Sequence, residues 1–386
     1  MPPRRAHKPS KTPRRKIKLP PVDKSLVLVI TMLIIFGIVA IFSASVPEGE
    51  FNYSNPLYYP MKHIFWAIAG VIGMIVITFI PYKKWQKWVM PVSFTIIALI
   101  TMTLIPGLGK TDYGSSRWLS FLPIQPSEFG KFACILLMSS SLYKAKNLLD
   151  PEMIKHCGLI AFMMLIILMQ PNMSMFIILF MTCLAMLFVA GMNFTIVFTS
   201  LGFIVPAIGF VILKTSYQSK RIIGWLHPFS DPQGIGYNII QSWYAIASGG
   251  LFGVGLGNSK QKLYYLPVGY TDFVFSVIAE EMGFVGVTVL ISLFLLFLHF
   301  GFRVAMRCED GFGRLLAFGI VFNIGAQAFV NMCVASGVFP VTGVTLPLIS
   351  YGGSSFLAIC LMLGVLLNIS RYAKPKERKE EDGAKS

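Results

Sequence analysis

The run Leu26-Val27-Leu28-Val29-Ile30-Thr31-Met32-Leu33-Ile34-Ile35-Phe36-Gly37-Ile38-Val39-Ala40-Ile41-Phe42 contains no charged side chain. A helix over it has no polar face to turn to water. With its flanks it reaches the ~20 residues that cross a hydrocarbon core. Basic residues precede it and Ser43-Ala44-Ser45 follows, which is the outline of a signal peptide. The run is longer than the usual ~7–15-residue apolar region, however, and removing it would spoil the charge parity described below. It is read as a retained span.

The same texture recurs along the chain of 386 residues, of which 55% are apolar and 13% charged, against roughly 25% charged in a soluble domain. So few charges cannot keep a soluble surface of this size wet, which excludes an ordinary soluble enzyme. Ten apolar runs are predicted as spans, at about 25–45, 64–80, 89–106, 127–143, 158–170, 174–191, 194–214, 272–300, 314–336 and 351–371. The fifth is short enough to pair with the sixth as a re-entrant hairpin. The predicted fold class is an all-α polytopic membrane protein with about ten transmembrane helices and one large outer loop carrying short interfacial helices. Its organisation is a basic cytoplasmic tail (1–24), a membrane domain (25–371, with the outer loop at 215–271) and a second cytoplasmic tail (372–386). Both tails read as disordered.

Lys and Arg set the orientation. With the N-terminus inside, 24 of the 33 face the cytoplasm and six lie in outer loops: Lys110, Arg117, Lys220, Arg221, Lys260 and Lys262. The net charge of +16 therefore reflects topology and anionic lipid head groups, and gives no reason to invoke nucleic acid. None of the six cysteines falls in a predicted outer loop or forms C-x-x-C, which argues against disulfides and a zinc site.

The stretch from Thr215 to Thr271 is long for a loop and therefore a functional candidate. Its uncharged, aromatic-rich piece Tyr237–Gly250 suits a helix lying in the interface. At its end Asp272 stands at the outer mouth of the eighth span. Two readings apply there: an N-cap accepting free helix N–H groups, or a base taking a proton from a substrate hydroxyl. Glu280 and Glu281, deeper in that span, are expected to pair with Lys or Arg. In Gln125-Pro126-Ser127-Glu128-Phe129-Gly130-Lys131 a helix starts at Pro126 or Ser127. Glu128 and Lys131 then share a face as an ion pair. The functional reading has Arg117 and Lys131 holding phosphate oxygens.

Ser248–Lys262 is Gly-rich and ends in Lys260 and Lys262, but lacks G-x-x-x-x-G-K-[ST] and is not a P-loop. It is either a flexible turn or a place where backbone approaches a lipid diphosphate. Asn323, Gln327 and Asn331 form a stripe that either bonds neighbouring helices or walls a polar cavity. Ser141-Leu142-Tyr143-Lys144 matches a transpeptidase S-x-x-K, but lacks its partner motifs and is set aside. Gln241 and Ser354 complete the candidate substrate-binding set.

Taken in order, Arg117-Trp118, Gln125-Pro126-Ser127-Glu128, Gln170-Pro171, Asp231-Pro232-Gln233-Gly234, the Gly249–Lys262 loop, Thr271-Asp272-Phe273 with Glu280-Glu281, and Leu346–Ser355 resemble the SEDS family (shape, elongation, division, sporulation), which comprises FtsW and RodA. The ending Thr345–Ser350 and the long basic N-tail resemble the FtsW branch more. The resemblance implies a peptidoglycan glycosyltransferase that polymerises lipid II outside the cytoplasmic membrane, beside a class B penicillin-binding protein and other division proteins. It also implies that Asp272 is the essential acid. Arg117, Lys131, Lys260, Lys262 or a divalent cation such as Mg or Mn would then stabilise the departing diphosphate.

This chain departs from the family at Asn172, where an Asp is common, and at Val268-Gly269-Tyr270, where an acid and Ala-His are common. The rival readings are a lipid II transporter, a RodA-type elongation polymerase and a non-catalytic division scaffold.

Overall fold

The computed structural model describes residues 20–112, 115–144, 150–191, 202, 209, 216–263, 265–267 and 269–373. The predicted seventh span, apart from its residues 202 and 209, and most of both tails lie outside these. The described helices are α1 (Lys24–Tyr53), α2 (Tyr58–Thr78), α3 (Tyr82–Met102), α4 (Pro126–Lys144), α5 (Pro151–Met169), α6 (Met173–Val189), α7 (Ser216–Leu226), α8 (Tyr237–Gly249), α9 (Val274–Arg307), α10 (Gly311–Ala335) and α11 (Gly353–Ser370). Of these, α1, α2, α5, α9, α10 and α11 are long and apolar enough to cross a membrane.

The fifth predicted run was too short. Lys155 and His156 interrupt its apolar signal, yet the helix begins at Pro151, with Asp150 accepting the Glu152 N–H at 3.0 Å. Its 19 residues need no hairpin partner to reach across. Asp23 and Asp310 likewise cap α1 and α10. Asp23 also takes two hydrogen bonds from Arg303, at 2.8 and 3.1 Å, tying the start of α1 to the end of α9.

Two further features were not read from the sequence. Between α3 and α4 lies an antiparallel hairpin, β1 (Gly109–Asp112) with β2 (Ser115–Leu119), which carries Arg117. The second feature is a break in α9 at Gly283, whose φ of 64° and ψ of −163° are not helical. A break inside an apolar bundle frees backbone groups that lipid cannot satisfy. The Gly-rich loop satisfies them. Val254 and Gly255 donate to the carbonyls of Glu280 and Glu281, and Phe284 and Val285 donate to those of Gly250 and Leu251, all at 2.9–3.1 Å. A Cβ at Gly253 would stand 2.1 Å from the Glu281 carbonyl oxygen, so glycine is required there. The close backbone approach anticipated in this loop is therefore made to α9.

Helices α10 and α11 form the inner layer: 72% and 83% of their apolar windows are buried, against 28% for α2. The predicted interfacial helix is α8. It is docked on the bundle through Ser242, whose Oγ lies 2.5 Å from Ser276 Oγ and 2.5 Å from the Ala335 carbonyl oxygen.

Candidate active site

The hairpin, the first turn of α4, the start of α2, the start of α6, the middle of α10 and the segment 343–355 surround a cavity of about 640 Å³. Arg117, Glu128, Lys131, Asp272 and Ser354 all line it, so five of the eight candidate residues meet in one place.

Each is held by its own neighbours. Arg117 Nη2 donates to the Pro171 carbonyl at 2.8 Å and Nε to that of Gln170 at 3.4 Å. That turn is anchored by Gln170 Nε2, which donates to Thr103 Oγ1 at 2.5 Å. Lys131, 1% exposed, donates to Glu128 at 2.7 Å and to Gln327 Oε1 at 2.5 Å. Gln327 in turn donates to the Thr345 carbonyl at 2.9 Å. Ser354 Oγ accepts the Gln125 N–H at 2.9 Å, pinning the start of α11 to that of α4.

Asp272 is not a helix cap. The N-cap of α9 is Phe273, and no side chain caps it. The carboxylate is instead free to face the cavity, while Asn331 Nδ2 holds the Asp272 backbone carbonyl at 2.8 Å and that of Val344 at 2.6 Å. Burial pushes the Asp272 carboxyl up to about 6, against the opposing fields of Arg221 and Arg117. A carboxylate poised near neutrality suits proton transfer.

Lys260, Lys262 and Gln241 are not brought to this cavity. Lys262 Nζ is bound by Glu281 at 2.7 Å and Ser43 Oγ at 3.1 Å, with its side chain 6% exposed. Lys260 is an exposed side chain whose backbone N–H donates to Glu280 at 2.9 Å. Folding of the Gly-rich loop onto the α9 break carries both away. The carboxylates of Glu280 and Glu281 hold that loop in place, as the pairing expectation anticipated for Glu281. Gln241 lies on α8, outside the lining.

Sequence reasoning passed over Lys62 and Arg221. Lys62 lines the cavity and donates to Tyr58 Oη at 2.6 Å. Arg221 on α7 acts on Asp272 through its field. Lys62 stands beside the start of the predicted second span and Arg221 in the predicted outer loop, and a basic residue at such a place was the available signal. The polar stripe of α10 serves as internal bonding: Asn323 donates to Thr182 Oγ1 at 3.0 Å, Gln327 both bonds and lines the cavity, and Asn331 positions Asp272.

At the two departures, Asn172 caps α6 by accepting the Met175 N–H at 3.4 Å and lines the cavity without adding charge. Tyr270 packs among Tyr59 and Tyr351 at ring distances of 4.9 and 5.7 Å. Among the described residues no three His, Cys, Asp or Glu converge. A divalent cation here would therefore use Asp272 and take its other ligands from substrate phosphate and water, a usual arrangement for Mg.

These observations define a multi-pass, helical membrane protein with a pocket that sets two acids, Asp272 and the Lys131-paired Glu128, among several cations. The chain belongs to the FtsW/RodA/SpoVE family of cell cycle proteins, whose family model matches residues 23–375. It is 39% identical over 367 residues to a probable peptidoglycan glycosyltransferase FtsW of Trichlorobacter lovleyi, covering 94% of this chain and 96% of that one. It is 38% identical over 359 residues to the stage V sporulation protein E of Bacillus subtilis, covering 91% and 98%. Among solved structures it resembles a chain of a peptidoglycan synthase complex that coordinates polymerization and crosslinking, with TM-score 0.75, 27% identity and coverage of 92% and 99%. The rod shape determining protein RodA of Thermus thermophilus matches with TM-score 0.67, 25% identity and coverage of 92% and 98%.

Proposed function

We propose that this protein is a peptidoglycan glycosyltransferase, polymerising lipid II at the outer face of the bacterial cytoplasmic membrane for septal synthesis, with a class B penicillin-binding protein as partner. The observation that carries this reading is the cavity in which the Asp272 carboxylate, committed to no cap, faces a wall bearing Arg117, Lys131 and Lys62. The names of the relatives supply the activity, peptidoglycan glycosyltransferase, and their FtsW naming is consistent with the septal reading.

In the reaction a sugar hydroxyl attacks an anomeric carbon. The bond from that carbon to the lipid diphosphate breaks, with its electron pair leaving on the diphosphate, and the hydroxyl proton passes to Asp272. The cations stabilise the diphosphate charge as it develops. Arg117, already anchored by two backbone carbonyls, presents a fixed guanidinium. Lys131 contributes through its pairing with Glu128 in the wall. One displacement inverts the anomeric centre and needs no covalent sugar–enzyme intermediate. The bonded stripe on α10 supports a fixed scaffold more than a transport route.

The test is purified protein with labelled lipid II, with and without the partner. Wild type forms glycan polymer, and Asp272→Asn loses at least about a hundredfold in rate while keeping its unfolding temperature and partner binding. Near-normal polymerisation by Asp272→Asn would remove Asp272 from the chemistry. Transport of lipid II across vesicles without polymer would favour the transporter. The orientation, with both termini cytoplasmic, follows from the 24-to-6 distribution of Lys and Arg. Cysteine placed at Ser230 in a cysteine-free variant labels with an impermeant reagent in intact cells; labelling at position 380 instead would invert the topology.

A further inference from the structure

A second cavity, of about 510 Å³, lies between α3, α4 and α5 and is lined by Lys87, Ser140, Lys144, Glu152, Lys155 and His156 among others. It belongs to the opposite end of the bundle from Asp272. Glu128, in the wall of the first cavity, and Lys144, in the wall of the second, are sixteen residues apart on α4, roughly 24 Å at ~1.5 Å per residue.

The charges here do not cancel. Lys144 is paired with Glu152 at 3.0 Å. Among the described residues, Lys87 and Lys155 have no ion-pair partner. The cavity also has buried polar walls: Ser140 is 1% exposed and His156 4%. Ser141 Oγ holds His156 Nδ1 at 2.7 Å, which orients the ring and leaves Nε2 as its other polar atom. Exposed Trp88 on α3 and Tyr143 on α4 mark the same end of the bundle, as aromatic side chains do at the level of lipid head groups.

We propose that this cavity binds a phosphate-bearing anion, the head group of an anionic phospholipid, between Lys87 and Lys155 with Ser140 and His156 behind them. Lys is a compact point charge suited to phosphate, and basic pockets between spans at head-group level are fitted to anionic lipids. In the topology proposed above the lipid would come from the cytoplasmic leaflet. The inference does not depend on the catalytic reading.

The experiment measures lipids retained by the detergent-purified full chain using native mass spectrometry. Phosphatidylglycerol and cardiolipin are compared with phosphatidylcholine, and inorganic phosphate is titrated in a parallel arm. Wild type prefers the anionic lipids, and Lys87→Gln/Lys155→Gln reduces that preference by about tenfold or more. Lys83→Gln/Lys84→Gln removes the same charge from the same end of the bundle but outside the cavity, and retains the preference. Glu152→Gln removes the competing anion and raises retention, a change of sign that a purely structural role would not produce. Saturable binding of inorganic phosphate that is lost in Lys87→Gln/Lys155→Gln, without lipid retention, would keep the anion site and assign it a soluble ligand. Equal loss in the two lysine double variants, or no lipid preference and no phosphate binding in wild type, would overturn the proposal.

Discussion

Among the described residues two Lys–Glu pairs are almost closed to solvent, each with an N–O distance of 2.7 Å: Lys131–Glu128 and Lys262–Glu281. In chemistry and geometry they are alike, but their surroundings differ. The first is formed within one turn of α4 and shares the wall of the larger cavity with Arg117 and Asp272. The second joins a loop to a broken helix and recruits Ser43 of α1, whose Oγ lies 2.6 and 2.7 Å from the Glu281 oxygens. One pair puts charge beside a pocket, and the other closes a gap in the scaffold. The role of a buried ion pair thus comes from what it faces.

Neutralising each pair separately tests this contrast most severely. Removing only Lys131 or only Lys262 strands a buried carboxylate and costs about 3–5 kcal/mol of stability, so each pair is best removed whole. Glu128→Gln/Lys131→Met is expected to unfold near the wild-type temperature and to lose ten- to a hundredfold in polymerisation, corresponding to about 1.5–3 kcal/mol of charge-assisted contact. Glu281→Gln/Lys262→Met is expected to polymerise within about threefold of wild type while its Gly-rich loop becomes sensitive to protease. The reverse pattern in lipid II assays would break the comparison.

The scaffold side can be sharpened at Gly283. A Cβ there would lie 2.3 Å from the Gly253 nitrogen, on a backbone with φ of +64°. Gly283→Ala is expected to cost about 1–3 kcal/mol, read as a lower midpoint of thermal unfolding. An unchanged midpoint would mean that the loop does not hold the break.

The smallest expected effect lies on the pocket side. With the Asp272 carboxyl near 6, the base is ionised above that pH and protonated below it. The kcat/KM for polymerisation therefore falls as pH drops through about 6. Arg221 opposes the rise, so Arg221→Gln moves this acid limb to higher pH. A limb that stays in place would separate Arg221 from the acid.

The pattern of apolar runs, the helix start at Pro126 and the i,i+3 pairing of Glu128 with Lys131 were legible because they are local, governed by side-chain transfer into lipid and by helix period. The extent of α5 was less so, since polar residues at a membrane-facing helix end mask its start even though Asp150-Pro151 marks a cap. Glu128, Lys131, Arg117, Ser354 and Asp272 each stood out by residue type in an unusual motif. Their meeting in one cavity depends on α2, α4, α6, α10 and α11 packing side by side.

By itself, then, the sequence determined that this chain is a bundle of membrane helices, and which few ionisable groups were available for chemistry. Only the tertiary structure decided that Lys131 stands at the pocket while Lys260 and Lys262 do not, that Asp272 caps no helix, and that Asn331 and Arg221 act on it. The physical reason is range. Burial in lipid and helix geometry act within about 20 residues of chain, whereas Asn331 reaches Asp272 across 59 positions and Gln327 reaches Lys131 across 196, contacts that exist only once the helices have packed.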